Sequence, residues 1–220
     1  MKKVEAATLD AISNYRMVDA PTPVPGPGAV LLRVAVCGVG YVDALVSLGR
    51  YQVKPKLPHV PGQEVAGWVE ALGDGVTGLA LGDRVMAQVQ GGFAELVVAA
   101  ADAVQKIPDR LGFAQAAGLR TNYITALHGL RDRAALQPGQ TLLVLGAAGG
   151  VGTAAIQVGK RMGAKVIAVA STDQKRDFAL QAGADQAIAS TPDGFRERVR
   201  ASCGGKGPDV VYDPVGGDLA

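Results

Sequence analysis

The pattern of hydrophobic and polar positions changes partway along the chain, and the change predicts two domains. Up to about residue 119, short apolar runs alternate with Gly and Pro, a pattern typical of a β-rich region with many tight turns. Beyond it, apolar runs that suit buried strands alternate with segments of helical period, which predicts a parallel sheet. We place the boundary near Thr121 and predict domains at 1–121 and 122–220.

The first domain is predicted to be a compact, partly open β-barrel, because it consists of several short strands separated by turn signals. Its two longest predicted strands are Ala29–Cys37 and Glu64–Leu72. The remaining predicted elements are a short helix at 42–48, strands at 85–89, 93–99 and 104–108, and helices at 113–119 and 123–135.

The second domain is predicted to be a doubly wound parallel sheet. Its predicted strands are 141–145, 165–170, 185–190 and 209–212, and its predicted helices are 153–162, 172–182 and 193–203. A sheet of this kind usually has about six strands. Because the pattern provides four, we expect the sequence to be an incomplete chain.

A glycine-rich turn between the first of these strands and its helix is the strongest functional signal. Gly146, Gly149 and Gly152 recur at a spacing of three, with Gly150 added. Residues without a Cβ let a diphosphate approach the backbone, and the helix start offers free N–H groups and the positive end of the helix dipole. The pattern therefore predicts a dinucleotide phosphate site formed by Ala148, Gly149, Gly150, Val151 and Gly152.

The composition of the chain argues against several classes of function. A net charge of +2 and 5% aromatic residues argue against nucleic-acid binding. We predict no signal peptide and no membrane-spanning segment, since no apolar run reaches the necessary length. The two cysteines, Cys37 and Cys203, lie far apart, so neither a zinc knot nor a disulfide framework is expected. The cytoplasm is the expected location.

Short motifs in order along nearly the whole chain resemble the zinc-free medium-chain dehydrogenases/reductases of the NADPH:quinone oxidoreductase type. They are GRY at 49–51, PHVPGQEVAG at 58–67, GDRV at 82–85, GFAE at 92–95, TA at 125–126, AAGGVG at 147–152, GAD at 183–185 and DPVGG at 213–217. The resemblance implies a GroES-like domain followed by a Rossmann domain, the latter cut short here. It also implies that full-length relatives continue further and are homodimeric.

The resemblance also argues against a metal. Zinc-dependent alcohol dehydrogenases of this architecture carry a Cys and a His where this chain has Gly40 and Gln63. Glycine has no side chain and neutral glutamine is a poor zinc ligand; His59 and His128 are isolated and are interpreted as structural. Without a Lewis acid, the expected acceptors are quinones or alkenes conjugated to a carbonyl, reduced by hydride from the cofactor.

The resemblance assigns roles to three further residues. Tyr51 is expected to be catalytic, donating a hydrogen bond to the developing oxyanion; the alternative is a tyrosine packed on the loop at 54–56. Asp43 contacts the cofactor or only caps its helix. Thr125 lies near the nicotinamide or merely faces the core. The family commonly has Asn at the position of Gly40.

The cofactor is expected to be NADPH. The second strand of the sheet ends without the acidic residue that binds the ribose of NAD. Ser171 stands there and can bond a 2′-phosphate, and Lys175 matches a phosphate-binding lysine of the family. Ser190 takes the position of a Tyr that touches the adenine side. The alternative is that Lys175 and Arg176 form a solvated helix face.

Three functions remain open from the sequence. The first is an NADPH-dependent quinone reductase, and the second is a reductase of enones or enoyl thioesters. The third is an NADPH-binding fragment or pseudoenzyme without turnover. Sequence does not separate the first two.

Overall fold

An antiparallel sheet organises the first half of the chain in the computed structural model, which describes residues 1–217. The first half contains β1 (Lys2–Glu5), β2 (Arg16–Asp19), β3 (Ala29–Cys37), α1 (Tyr41–Ser47), β4 (Glu64–Leu72), β5 (Arg84–Gln88), β6 (Leu96–Ala100), β7 (Val104–Lys106) and α2 (Phe113–Ala116). Five strands pair in the order β6-β3-β4-β5-β7, all antiparallel. The strands β1 and β2 form a separate antiparallel ribbon.

The larger core cluster of this half lies on one face of the five-stranded sheet, and a smaller, separate cluster includes Ala66 of β4 and Ala116 of α2. Alternate residues of neighbouring strands, such as Val30, Leu32, Val65 and Val85, are almost completely buried in the larger cluster. This period of two is what one buried face of an antiparallel sheet requires. The observed antiparallel sheet agrees with the GroES-like, β-rich fold that the sequence predicts.

A parallel sheet organises the second half. Its elements are α3 (Arg120–Leu127), a π-helical turn at His128–Arg133, β8 (Thr141–Val144), α4 (Gly150–Arg161), β9 (Lys165–Ala170), α5 (Asp173–Gln181), β10 (Gln186–Ala189), α6 (Phe195–Ser202) and β11 (Val210–Tyr212). The strand order is β10-β9-β8-β11 and every pair is parallel. Among the residues described, the sheet has four strands, as predicted for a Rossmann fold cut short.

Both faces of the parallel sheet are apolar, which explains the continuous hydrophobic runs of its strands. Leu142 and Val144 of β8 pack on one face with Ile156 of α4. Leu143, on the opposite face, packs in a cluster with Val199 of α6. The chain divides into two compact units, of which the first is Met1–Arg120 and the second begins at Thr121.

The structure differs from the sequence prediction at several element boundaries. The helix predicted at 123–135 is α-helical only to Leu127 and then widens into the π-helical turn. Helix α4 begins at Gly150 rather than 153, inside the glycine motif. The strands β1 and β2 were not predicted, because these short, largely exposed segments carry a weak apolar signal. Within residues 1–217, no helix has both the length and the apolar character needed to cross a bilayer.

Strand β11 forms one edge of the described sheet, and Val211 on it is 55% exposed. Val211→Thr should therefore reduce the fluorescence of an apolar dye bound to the protein while leaving its melting temperature nearly unchanged. The neighbouring Val210 packs against the buried core. Val210→Thr is the matched control and should cost about 1–3 kcal/mol, because it buries a hydroxyl. Equal losses of stability in the two variants would show that Val211 is covered in solution.

Candidate functional site

The glycine-rich turn forms an anion-binding site at the start of α4. The chain turns at Gly146, whose φ is +59°, and Gly149 caps the helix. The N–H of Gly149 donates to the carbonyl oxygen of Gly146 at 2.9 Å. The N–H groups of Gly150, Val151 and Gly152 open the helix and have no carbonyl acceptor within it. They therefore present donors at the positive end of a helix of 12 residues.

Close backbone approach explains why Gly152 is glycine. A Cβ on Gly152 would lie 2.3 Å from the carbonyl oxygen of Gly146 and 2.8 Å from Cα of Ala147. A Cβ on Gly150 would lie 2.9 Å from Nδ2 of Asn122. A side chain at Gly152 would push the start of α4 away from the turn, whereas one at Gly150 would meet only the side chain of Asn122.

A cavity of about 370 Å³ adjoins the glycine turn. Ser171 follows β9 and Ser190 follows β10, so both stand at the carboxyl ends of neighbouring parallel strands, where open α/β sheets bind ligands. The Nζ of Lys175, in the first turn of α5, lies 3.4 Å from Oγ of Ser171. The residues that line the cavity are Leu145, Gly146, Ala148, Gly149, Val169, Ala170, Ser171, Lys175, Ser190 and Val215.

The two neighbouring cations of α5 have different surroundings. Lys175 lines the cavity and is exposed. Arg176 does not line it; its guanidinium donates to the carbonyl oxygen of Ala170 at 3.1 Å and to the carboxylate of Asp173. Thr172 caps the helix by accepting the N–H of Lys175 at 3.3 Å. The ammonium of Lys175 thus borders the cavity, whereas the guanidinium of Arg176 is bonded to other residues of the protein.

The residues at this cavity fit a nicotinamide dinucleotide. The N–H groups at the start of α4 supply donors for a diphosphate, and the cavity of about 370 Å³ beside the turn is the space for such a ligand. Ser171 and Lys175 offer a hydroxyl and a positive charge one strand away, where the adenosine ribose of such a ligand lies in doubly wound sheets.

A second cavity, of about 340 Å³, lies in the first unit. Tyr51 is half-buried and lines it together with Asp43. The other lining residues are Val46, Val53, Pro55, His59, Val60, Gly62, Gln63 and Gln90. The cavity thus has an apolar wall and a small number of polar groups, as small-molecule sites do.

Asp43 connects two walls of this second cavity and is only 8% exposed. Its Oδ2 accepts the N–H of Gly40 at 2.8 Å, which caps α1. Its Oδ1 accepts the N–H of Gly62 at 3.1 Å. The capping interaction considered from the sequence is therefore present, and a long-range bond that the sequence does not reveal accompanies it.

Gly40 and Gln63, the residues at the zinc-ligand positions of the metal-dependent relatives, have other surroundings here. Gly40 caps α1, and Gln63 lines the second cavity. Across residues 1–217, no group of three or more His, Cys, Asp and Glu side chains is placed to hold a metal ion. Burial, reinforced by the charge of Asp43, raises the pKa of Cys37 to about 12, so this thiol stays protonated and offers no thiolate.

The predicted site residues therefore fall into two groups that line the cavities and four residues that line neither, namely Gly150, Val151 and Gly152 at the start of α4, and Thr125. Ala148, Gly149, Ser171, Lys175 and Ser190 line the cavity beside the glycine turn, and Asp43 and Tyr51 line the second cavity. Thr125 is exposed on α3 and lines neither. The sequence analysis did not select Gln63, Gln90 or His59 as binding residues. A histidine between two prolines, in the segment 58–61, was the one available signal.

Two models of known protein families match this chain, one in each half. The model of the alcohol dehydrogenase GroES-like domain matches residues 26–109, and that of the zinc-binding dehydrogenase domain matches residues 150–220. A quinone oxidoreductase of Sus scrofa is 38% identical over 197 residues, which are 89% of this chain and 60% of that protein. The chain therefore spans about 60% of the length of this curated relative.

Solved structures extend the similarity to the whole fold. A probable oxidoreductase from Mycobacterium abscessus is 41% identical with a TM-score of 0.92, covering 100% of this chain and 71% of that one. The quinone oxidoreductase of Thermus thermophilus, also solved with NADPH, is 34% identical with a TM-score of 0.85 (100% and 68%). The CurK enoyl reductase is 27% identical with a TM-score of 0.90 (99% and 68%).

A GroES-like sheet followed by a Rossmann-type sheet with a glycine turn defines the class of medium-chain oxidoreductases. The chain belongs to the medium-chain dehydrogenase/reductase family, and within it to the group that resembles the quinone oxidoreductases.

The close approach at Gly152 predicts the outcome of a single substitution. Gly152→Ala should lower the free energy of unfolding by about 1–3 kcal/mol, because the new methyl group meets backbone atoms that cannot turn away. Thermal or urea unfolding measures the change. Gly26→Ala is the control, since a Cβ there meets no atom within 4 Å. Equal stability of the two variants would contradict the packing of α4 on the turn.

Proposed function

We propose that the chain is a zinc-independent oxidoreductase that binds NADPH and directs its hydride to a quinone or another conjugated carbonyl compound. The observation that carries the proposal is the cavity in which Lys175 and Ser171 adjoin the glycine turn. The proposal assigns the acceptor to the domain 1–121 and the cofactor to the domain 122–220.

The residues of the second domain bind and orient the cofactor. The N–H groups of Gly150, Val151 and Gly152 hold the diphosphate, with Ala148 and Gly149 forming the turn around it. Lys175 and Ser171 hold the 2′-phosphate, and Ser190 borders the adenosine. Thr125 is assigned to the nicotinamide end on the family resemblance alone. NADP-dependent binding is supported by the Thermus thermophilus relative, which was solved with NADPH.

The residues of the first domain bind the acceptor. The cofactor, when bound, supplies a hydride. Tyr51 donates a hydrogen bond from its hydroxyl to the carbonyl oxygen of the acceptor, where negative charge develops as the hydride arrives. Asp43 holds the cavity wall through Gly40 and Gly62. The apolar residues Val46, Val53 and Val60 receive the body of a flat, weakly polar molecule.

The similarity to CurK enoyl reductase supports a second candidate, reduction of an enone or enoyl thioester by the same residues. A third candidate is binding of NADPH without turnover. It is motivated by Gly40, which stands where the family commonly has Asn.

Turnover with a panel of acceptors tests the proposed function. We expect NADPH oxidation by the purified chain with at least one quinone or enone, and the preferred acceptor selects between the first two candidates. Tyr51→Phe should lower kcat/KM for the acceptor about tenfold to a hundredfold, the effect of losing one hydrogen bond to a charged oxygen. Tyr41→Phe is the control, because Tyr41 is exposed and lies outside the cavity. Binding of NADPH without any turnover would refute the proposal and favour the third candidate.

Discrimination between NADPH and NADH tests the 2′-phosphate site. Lys175→Gln should weaken NADPH binding about tenfold to a hundredfold and leave NADH binding nearly unchanged, since it removes one charge-assisted bond to the phosphate. Fluorescence titration of both cofactors measures this. Arg176→Gln is the matched control, because that guanidinium is bonded to Ala170 and Asp173. The assignment fails if both variants lose the same affinity for both cofactors.

A further inference from the structure

His59 is a buried polar side chain that the proposed function does not use. It is 9% exposed, and the other buried polar residues found in the described chain are Asp43 and Ser47. Asp43 accepts two backbone N–H groups, and the hydroxyl of Ser47 donates to the carbonyl oxygen of Asp43 at 2.7 Å. The imidazole of His59, by contrast, forms no side-chain hydrogen bond within residues 1–217. The ring nitrogens are not among the described polar atoms that are sealed from solvent without a partner, so they open onto an accessible space.

The cavity that contains Tyr51 provides this space, because His59 lines it as well. The backbone of His59 is fixed: its N–H donates to the carbonyl oxygen of Ala6 at 2.9 Å, and its carbonyl oxygen accepts the N–H of Ala6 at 3.0 Å. Its ring meets Tyr15 edge-on, with ring centroids 6.2 Å apart and an interplanar angle of 71°. The imidazole is therefore held in place beside a cavity of the size of a small molecule.

The protonation state of His59 suits hydrogen bonding better than proton transfer. Burial lowers the pKa of its imidazole below the usual value, against the opposing effect of the Asp43 carboxylate. Near pH 7 the ring is consequently neutral and carries one N–H donor and one acceptor nitrogen. A neutral imidazole can polarise a carbonyl by donating its N–H, and it does not give up that proton.

We propose that His59 is a second hydrogen-bond donor to the carbonyl oxygen of the acceptor, acting together with Tyr51. The inference rests on the proposed function and extends it to the acceptor's mode of binding. The acceptor gains a hydride, its π electrons move onto the carbonyl oxygen, and this oxygen takes its proton from water. One NADPH is consumed for each acceptor reduced, and His59 ends the step in the form in which it began.

Two donors on one oxygen select for a class of acceptor. A carbonyl at the end of a conjugated system places its developing charge on that oxygen, and the proposal has the Tyr51 hydroxyl and the His59 N–H, which line one cavity, both donate to it. The proposal therefore favours quinones and enones whose carbonyl oxygen is accessible to two hydrogen-bond donors. The apolar residues of the cavity take up the rest of the molecule.

A direct test observes the imidazole itself. The chain has two histidines, so a ¹⁵N-histidine sample gives two sets of imidazole signals, and a His128→Gln variant assigns them. His128 is exposed and lies 3.0 Å from Asp132, which makes it an internal reference. Duroquinone, added without NADPH, should shift the His59 ring signals and leave those of His128 in place. Binding of duroquinone, seen by fluorescence quenching, with no change at His59 would overturn the inference.

Kinetics provide a matched pair of variants. His59→Phe keeps an aromatic ring against Tyr15 and removes the N–H donor, whereas His59→Gln keeps an N–H donor. We expect kcat/KM for duroquinone to fall about tenfold to a hundredfold in His59→Phe and to recover in part in His59→Gln, with NADPH affinity unchanged in both. Unfolding curves identify any variant that fails to fold. If His59→Phe does not fold, the kinetics of His59→Gln and the ¹⁵N spectra test the inference instead.

The outcomes separate this inference from the proposed function. Full activity in His59→Phe would refute the role of His59 and leave the proposed function intact. Equal losses in His59→Phe and His59→Gln would show that the imidazole ring acts in packing, and would also refute the inference. If duroquinone neither binds nor is reduced, the proposed function fails for this acceptor class and the inference fails with it.

Discussion

The contact between the start of α4 and the turn after β8 is the constraint on which the cofactor half depends. At Gly152 the helix lies so near the Gly146 carbonyl that a methyl group would be 2.3 Å from that oxygen. The effect of the helix dipole weakens within about one turn of the helix end. The dipole therefore stabilises an anion at the glycine turn only because the helix begins directly there. The same closeness sets the position of β9 and of Ser171, because α4 connects β8 to β9.

In the first half of the chain, one carboxylate fills a similar organising role. Asp43 accepts N–H groups from Gly40 and from Gly62, residues that are far apart in sequence. A buried carboxylate is costly unless it is bonded in this way. The two bonds bring the α1 start and the 60–62 turn together, and the cavity with Tyr51 and His59 lies between these segments. Each half thus positions its cavity through close backbone contacts and hydrogen bonds to backbone N–H groups, with few charged groups.

The sequence predicts most of the sheet architecture and much less of the acceptor cavity. The apolar runs at Ala29–Cys37 and Lys165–Ala170 match the observed strands, because buried strands leave a strong signal. The sequence did not predict the π-helical turn, within which Gly129 lies close to the ring of Tyr212, a contact between distant segments that leaves no local signal. The position of His59 was equally hidden: its neighbour Ala6 and the cavity around it come from distant segments.

A ³¹P NMR titration of NADPH with the purified chain tests the proposed cofactor site. We expect the resonances of both the 2′-phosphate and the diphosphate to change, because Lys175 and the start of α4 each bind one of these groups. A changed diphosphate resonance with an unchanged 2′-phosphate would contradict the role given to Ser171 and Lys175. If neither resonance changes, the glycine turn does not hold a dinucleotide, and the central claim is wrong.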